Sequence, residues 1–252
     1  MKLFINIFLV FITHSFFSQS IKTTLTYTQN IPSKTTNKTP VLIMLHGYGS
    51  NETDLFAMHK SFDNRYAVFS LRAPNSIPNS GYCWFPLDMS EKDKIKYDYN
   101  YVQQSKNLIL NFISNACKSL NLDSTNVVLF GFSQGAMLST DIAFTHPNKI
   151  KGVIALSGML MPETQAQIKN DLSWKNINKV KMYFAHGYSD NVIKLTEAEK
   201  IDSLISQKKL NNLKMNYYKM SHNICGEELN DIKKWLLILA TNKEQEKKIN
   251  KK

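Results

Sequence analysis

The sequence predicts an α/β fold: a mostly parallel central sheet with helices on both faces. Three observations lead there. Continuous apolar runs at 41–45 and 127–130 read as strands buried on both faces, and largely apolar stretches at 66–71, 152–157 and 180–185 read as further strands. Helical stretches separate them. In the longest, at 98–120, neither Gly nor Pro interrupts, and Val102, Ile109, Phe112, Ile113, Ala116 and Leu120 share one face. At 127–136 an apolar run breaks at Gly131 and passes directly into a helical stretch of small and apolar residues. Strands alternating with helices bury a parallel sheet between two helical layers.

Taken in order, the chain of 252 residues opens with Lys2, an apolar core from Leu3 to Phe17, and Ser18-x-Ser20 before Ile21. That is the pattern of a signal peptide over 1–20, with the cut after Ser20. Its core is too short for a comfortable membrane span, and no cysteine near the cut could take a lipid. The expectation is a secreted or periplasmic protein with no stable membrane insertion after cleavage; an uncleaved anchor is the alternative. Residues 21–242 suit one α/β domain, and 243–252 form a lysine-rich tail.

Inside the domain, 21–29 alternates Thr with apolar residues, as an edge strand does. The 41–45 strand ends in His46-Gly47-Tyr48-Gly49, and a helix follows at 52–59. The 66–71 strand runs into Arg72-Ala73-Pro74 and a loop to about 86. Asp98 and Lys118 sit at the ends of the long helix that complement its dipole. Beyond 157 a loop is expected through 178, then strand 180–185, helix 195–208, strand 213–218 and a last helix at 226–240. Leu229, Ile232, Leu236 and Leu239 give that helix its buried stripe.

Composition excludes more than it selects. A hydrophobic content of 43% is enough for a full core. The net charge of +11 invites nucleic acid as a partner, yet Arg65 and Arg72 are the only arginines and lysine is spread along the whole chain. A phosphate- or base-reading site would cluster arginine, so no nucleic-acid partner is expected. The three cysteines, Cys83, Cys117 and Cys225, cannot all pair within one chain. They show no zinc spacing, so neither metal nor cofactor is expected; isolated thiols are the favoured reading, with one disulfide after export as the alternative.

The chemistry lies at Gly131-Phe132-Ser133-Gln134-Gly135. G-x-S-x-G between a strand and a helix forms a sharp turn that lifts a serine above the sheet edge as a nucleophile. A serine hydroxyl needs a neighbouring base, itself oriented by a carboxylate, and on such a scaffold these follow in the order Ser, acid, His. Of six histidines only His146, His186 and His222 follow Ser133. His146 ends the elbow's own helix, and His186 precedes any suitable acid. His222, between a strand and the last helix, is the candidate base. Asp141 lies in the elbow helix, Glu163 and Asp171 in a long loop, and Glu197, Glu199 and Asp202 on a helix. Asp190 alone follows closely on a strand end. The oxyanion of acyl transfer needs preset donors: the backbone N–H of Gln134, and that of Tyr48 in the loop after 41–45.

Leu45-His46-Gly47-Tyr48-Gly49, Ala73-Pro74 with Trp84-Phe85, the elbow, Leu156-Ser157-Gly158, and His186-Gly187-x-x-Asp190 with His222 stand in one order. Together they resemble the phospholipase/carboxylesterase family of α/β hydrolases, which includes acyl-protein thioesterases. The resemblance covers nearly all of the chain after the leader. It implies an α/β-hydrolase fold and a Ser-Asp-His hydrolase of esters or thioesters, with Trp84 and the segment after Gly158 near the acyl pocket. Two departures stand out: Tyr218-Lys219-Met220-Ser221 lacks the family's usual glycine, and no proline follows Val192.

The expected activity is therefore a carboxylesterase that forms a covalent acyl-enzyme on Ser133, with a small-molecule or carrier-linked ester as substrate. Thioesterase, lysophospholipase and peptidase activities use the same groups, and a catalytically inactive binding protein is the alternative from another class. Neither 75–97 nor 159–178 is long enough for a large cap domain. An open cleft is expected, with an apolar patch from Trp84, Phe85, Met159, Leu160 and Met161.

Overall fold

The computed structural model describes residues 20–88, 90, 95–169, 177–207 and 212–240. The leader through residue 19, Asp171 and the lysine-rich tail lie outside the described residues.

Seven strands form one sheet: β1 (Tyr27–Asn30), β2 (Val41–Leu45), β3 (Ala67–Leu71), β6 (Val127–Phe132), β7 (Gly152–Leu156), β8 (Lys181–Gly187) and β9 (Leu213–Tyr218). Two further strands, β4 (Asn75–Ser76) and β5 (Tyr82–Cys83), make a small hairpin inside the loop expected after β3. The sheet order is β1-β3-β2-β6-β7-β8-β9; β1 is antiparallel to β3 and every other pair is parallel. The edge strand is shorter than the 21–29 expected, because the Thr23 hydroxyl takes the Leu25 N–H and bends the chain there. Ile21 and Leu25 still reach the core.

Among the described residues the sheet is covered by helices α1 (Glu52–Phe56), α2 (Tyr99–Leu120), α3 (Gln134–Thr145), α4 (Pro162–Lys169), α5 (Leu195–Gln207) and α6 (Gly226–Ala240). Asp98 caps α2 by accepting the Asn100 N–H, and Asn121 closes it in the left-handed conformation. The predicted face of α2 is the buried one: Val102, Ile109, Phe112, Ile113 and Ala116 pack with Val41, Ile43, Leu45, Phe69 and Leu129. On the opposite face Leu42, Met44, Val68, Val128, Phe130 and Ile154 meet Leu55 of α1 and Ile232 and Leu236 of α6. Alternate residues of one strand thus serve two layers, which is why these strands read as largely apolar stretches.

Helix α4 lies where a loop was expected through 178. Its two buried residues, Thr164 and Ile168, are four apart, a stripe too thin to show as periodicity. Among the described residues there is no large cap over the sheet, and no helix is long and apolar enough to cross a membrane. Cys83, Cys117 and Cys225 are free thiols.

Register sets up the site. Leu45 of β2 lies beside Gly131 of β6, and Phe132 lies beside Leu156 of β7. The loop after β2 and the turn after β6 therefore leave the sheet side by side, at the carboxyl ends of the strands where ligands of open α/β sheets bind.

Candidate active site

Ser133 is the only residue between β6 and α3, and it holds φ 52° and ψ −116°. A non-glycine residue with positive φ costs about 1–3 kcal/mol and persists only where its surroundings over-determine it. Here they do. The Ser133 N–H donates to Leu156 O at 2.8 Å, and its carbonyl accepts the N–H groups of Ala136 and Met137. The flanking glycines are required by contact: a β-carbon on Gly131 would lie 2.2 Å from Gly135 O, and one on Gly135 would lie 1.9 Å from Leu45 O. The turn is closed too tightly for any side chain at either position.

The structure brings Ser133, His222 and Asp190 into one chain of hydrogen bonds. His222 Nε2 lies 2.9 Å from Ser133 Oγ, and His222 Nδ1 lies 2.8 Å from Asp190 Oδ2. The carboxylate opposite Nδ1 keeps the proton on that nitrogen and leaves the Nε2 lone pair for the serine hydroxyl. Asp190 is buried, and its Oδ1 accepts the N–H groups of Val192 and Ile193, each at 2.9 Å. The loop carrying His222 is tied to the Asp190 loop by Tyr188 N–H to Tyr218 O and Ser189 N–H to Met220 O. Those bonds run through backbone atoms, so the missing glycine at 218–221 leaves the histidine in reach of the serine.

The other carboxylates and histidines lie elsewhere. Asp141 is buried in α3 against Lys106 Nζ at 2.7 Å, and Glu163 on α4 accepts the Tyr97 hydroxyl. His146 ends α3, where its Nδ1 meets the Thr145 hydroxyl. His186 is buried behind Asp190, with Nε2 2.8 Å from Ile193 O and 3.5 Å from Asp190 Oδ2.

Two peptide units lie around the serine. Gln134 begins α3, so its N–H has no acceptor within the helix. Its side chain is buried and bridges a neighbouring segment: Trp84 N–H donates to Oε1 at 2.8 Å, and Nε2 donates to Phe85 O at 2.7 Å. Tyr48 follows Gly47, where a β-carbon would lie 3.2 Å from Phe132 Cδ1 and 3.4 Å from Ser133 Cβ.

The expected apolar patch is not a surface. Trp84, Phe85, Leu160 and Met161 are buried, and Met159 is only half-buried against the core. Trp84 and Phe85 act as framework, because Asn75, Ser105 and Gln134 bind their backbone and the Trp84 indole N–H donates to His46 O at 2.9 Å. A segment with so many polar backbone partners folds inward and carries its rings with it. Met159 lines a small cavity with Phe184, His186, Ile201 and Met215. Leu160 reaches a groove of about 530 Å³ between α4 and α5, whose lining includes none of Ser133, Asp190 and His222. Sequence reasoning missed the side-chain bridge from Gln134, since an amide beside a nucleophile carries no signal of where it points.

A family described as phospholipase/carboxylesterase matches residues 27–240. Acyl-protein thioesterase 1 of Candida albicans is 26% identical over 226 residues, covering 82% of this chain and 94% of that protein. In fold, the carboxylesterase of Bacillus cereus superposes with a TM-score of 0.71 at 23% identity, over 86% of this chain and 96% of the other. Acyl-protein thioesterase 2 of Zea mays gives 0.70 at 18% identity, over 86% and 99%.

Proposed function

Since this chain belongs to the phospholipase/carboxylesterase family, we propose that it hydrolyses carboxylic esters with Ser133 as nucleophile, His222 as general base and Asp190 as the acid that orients it. One observation carries the reading: an unbroken line of hydrogen bonds from Ser133 Oγ through His222 to Asp190, ending on a serine held in a strained turn. His222 Nε2 takes the hydroxyl proton as Oγ adds to the carbonyl carbon. The carbonyl oxygen gains a negative charge, facing the N–H groups of Gln134 and Tyr48. The tetrahedral centre collapses, the alcohol leaves with the proton from His222, and the acyl group stays on Oγ. Water then adds with the same base and releases the acid.

Thioesters are the second reading, because relatives matched over most of their length are named acyl-protein thioesterases. The triad and the oxyanion donors serve either leaving group. A panel of acetyl, butyryl and octanoyl oxyesters, each with its matched thioester, tests both. Turnover of oxyesters at rates equal to or above the thioesters supports the first reading. Thioester turnover alone replaces it with the second, and turnover of neither removes both.

We also propose that the chain is exported and that its mature form begins near Ile21. Ser20 is exposed while Ile21 packs into the core, so a cut between them leaves the domain whole. N-terminal sequencing of protein from its native host tests this, and an intact Met1 would overturn it.

A further inference from the structure

One fully buried histidine beside the nucleophile takes no part in the relay. His46 has a different partner at each ring nitrogen. Nδ1 lies 2.7 Å from Gly47 O, which only accepts, so Nδ1 carries the proton. Nε2 lies 3.1 Å from the Ala73 nitrogen, whose N–H only donates, so Nε2 presents its lone pair. One neutral tautomer meets both contacts; an imidazolium would point a second N–H at the Ala73 N–H. Burial acts in the same direction and holds His46 below the ordinary histidine value.

The consequence lies in a peptide plane. The Gly47 carbonyl and the Tyr48 N–H are two ends of one planar trans unit and point opposite ways. Holding the carbonyl toward His46 therefore aims the Tyr48 N–H away from the ring. Gly47 is close to the nucleophile, since a β-carbon there would lie 3.4 Å from Ser133 Cβ. The peptides on either side are pinned separately: His46 O by the Trp84 indole N–H at 2.9 Å, and Gly49 N–H by Tyr82 O at 2.9 Å. Among the described residues, the unit between them is held by the His46 ring and by a long turn bond from Ser50 N–H, 3.3 Å to Gly47 O.

We propose that His46 is a positioning residue: as the neutral Nδ1–H tautomer it locks the Gly47–Tyr48 peptide with the Tyr48 N–H facing the oxygen of the reacting carbonyl. The proposal rests on the ester-hydrolase reading above. Without the ring's N–H only the long Ser50 bond opposes a turn of the peptide, which would replace a donor by a carbonyl oxygen where negative charge develops.

Two substitutions separate the two contacts. His46→Asn keeps an amide N–H near the place of Nδ1 and so can still bind Gly47 O. His46→Gln carries its oxygen out toward Ala73 and gives up the donor to Gly47. For a soluble acetyl ester, kcat is expected to fall ~10²–10³-fold in His46→Gln. KM should stay within about threefold, because the lost interaction belongs to the transition state. His46→Asn is expected to keep kcat within about tenfold of the unsubstituted protein. The rate at which a fluorophosphonate labels Ser133 should follow the same order, since phosphonylation also builds charge on an oxygen in that hole. A chain that is labelled but hydrolyses no ester would end the ester reading and leave this comparison intact. Equal losses in the two variants, unchanged rates in both, or a loss carried by KM would overturn the proposal. Should neither variant fold, nitrogen-15 spectra of the unsubstituted protein with labelled histidine decide. A His46 ring protonated at Nδ1 alone supports the proposal, and protonation at Nε2 or at both nitrogens overturns it.

Discussion

Asp190 Oδ2 lies 2.8 Å from His222 Nδ1, while Oδ1 of the same carboxylate accepts the backbone N–H groups of Val192 and Ile193. This division of labour fixes what an amide would do in its place. In Asp190→Asn the amide oxygen keeps the two backbone donors, so the NH₂ group must face His222. The imidazole then has to accept at Nδ1 and carry its proton on Nε2, where it cannot take the proton of Ser133. The expected outcome is a folded protein whose kcat is lower by ~10⁴. Near-normal turnover would show that the acid is another residue.

His222 and His186 are both within reach of Asp190, but only His222 touches Ser133. His222→Ala should abolish hydrolysis and leave the melting temperature nearly unchanged. His186→Ala removes a buried ring and its bond to Ile193 O, so it should cost stability, about 1–3 kcal/mol. Its loss of kcat should be far smaller than that of His222→Ala. Equal losses of activity would mean that the two histidines share the chemistry.

The fold was legible because β2, β3, β6, β7 and β8 serve two layers and show as largely apolar stretches. The partners of Ser133 were reached by chain order and strand ends, and the structure joins Asp190 and His222 to it by hydrogen bonds. The surroundings of the site were less legible. Trp84 and Phe85 look like pocket residues in a string of letters, because an aromatic ring signals burial but not which side of the wall it takes. Their inward position comes from backbone bonds to Asn75, Ser105 and Gln134, residues up to 50 positions away in the chain. His46 showed in the sequence only as part of the loop after β2, and its two ring contacts appear only in three dimensions.

Lys106 and Asp141 form an ion pair of 2.7 Å with side chains 2% and 0% exposed. Tyr99 and Thr164 add their hydroxyls to the same carboxylate, so the pair ties α2 and α4 to the elbow helix. Lys106→Met strands a buried charge and should cost about 3–5 kcal/mol in chemical denaturation. Lys106→Met combined with Asp141→Leu should recover part of that loss. A single substitution that costs less than about 1 kcal/mol would show the pair to be energetically idle.

Glu228 on α6 is fully buried, and its carboxyl oxygens make no hydrogen bond of good geometry. Burial raises its pKa to about 8, and the nearby Cys225 N–H offsets only part of this. Below the ordinary value of 4.5 the group is neutral in both folded and unfolded chains and carries no penalty. As pH rises the unfolded chain ionises first, so stability falls from about 4.5 until the folded group also ionises near 8. Glu228→Gln should flatten the stability–pH curve across that window and raise stability at its upper end. Identical curves for the two proteins would place the Glu228 carboxyl in contact with water.

The central claim is that Ser133 is an activated nucleophile. Incubation with a fluorophosphonate, followed by intact mass and peptide mapping, measures this directly. The account predicts one phosphonyl adduct per chain, located on Ser133, formed in step with loss of ester hydrolysis and absent from Ser133→Ala. An adduct on another residue, or undiminished hydrolysis by Ser133→Ala, would contradict it.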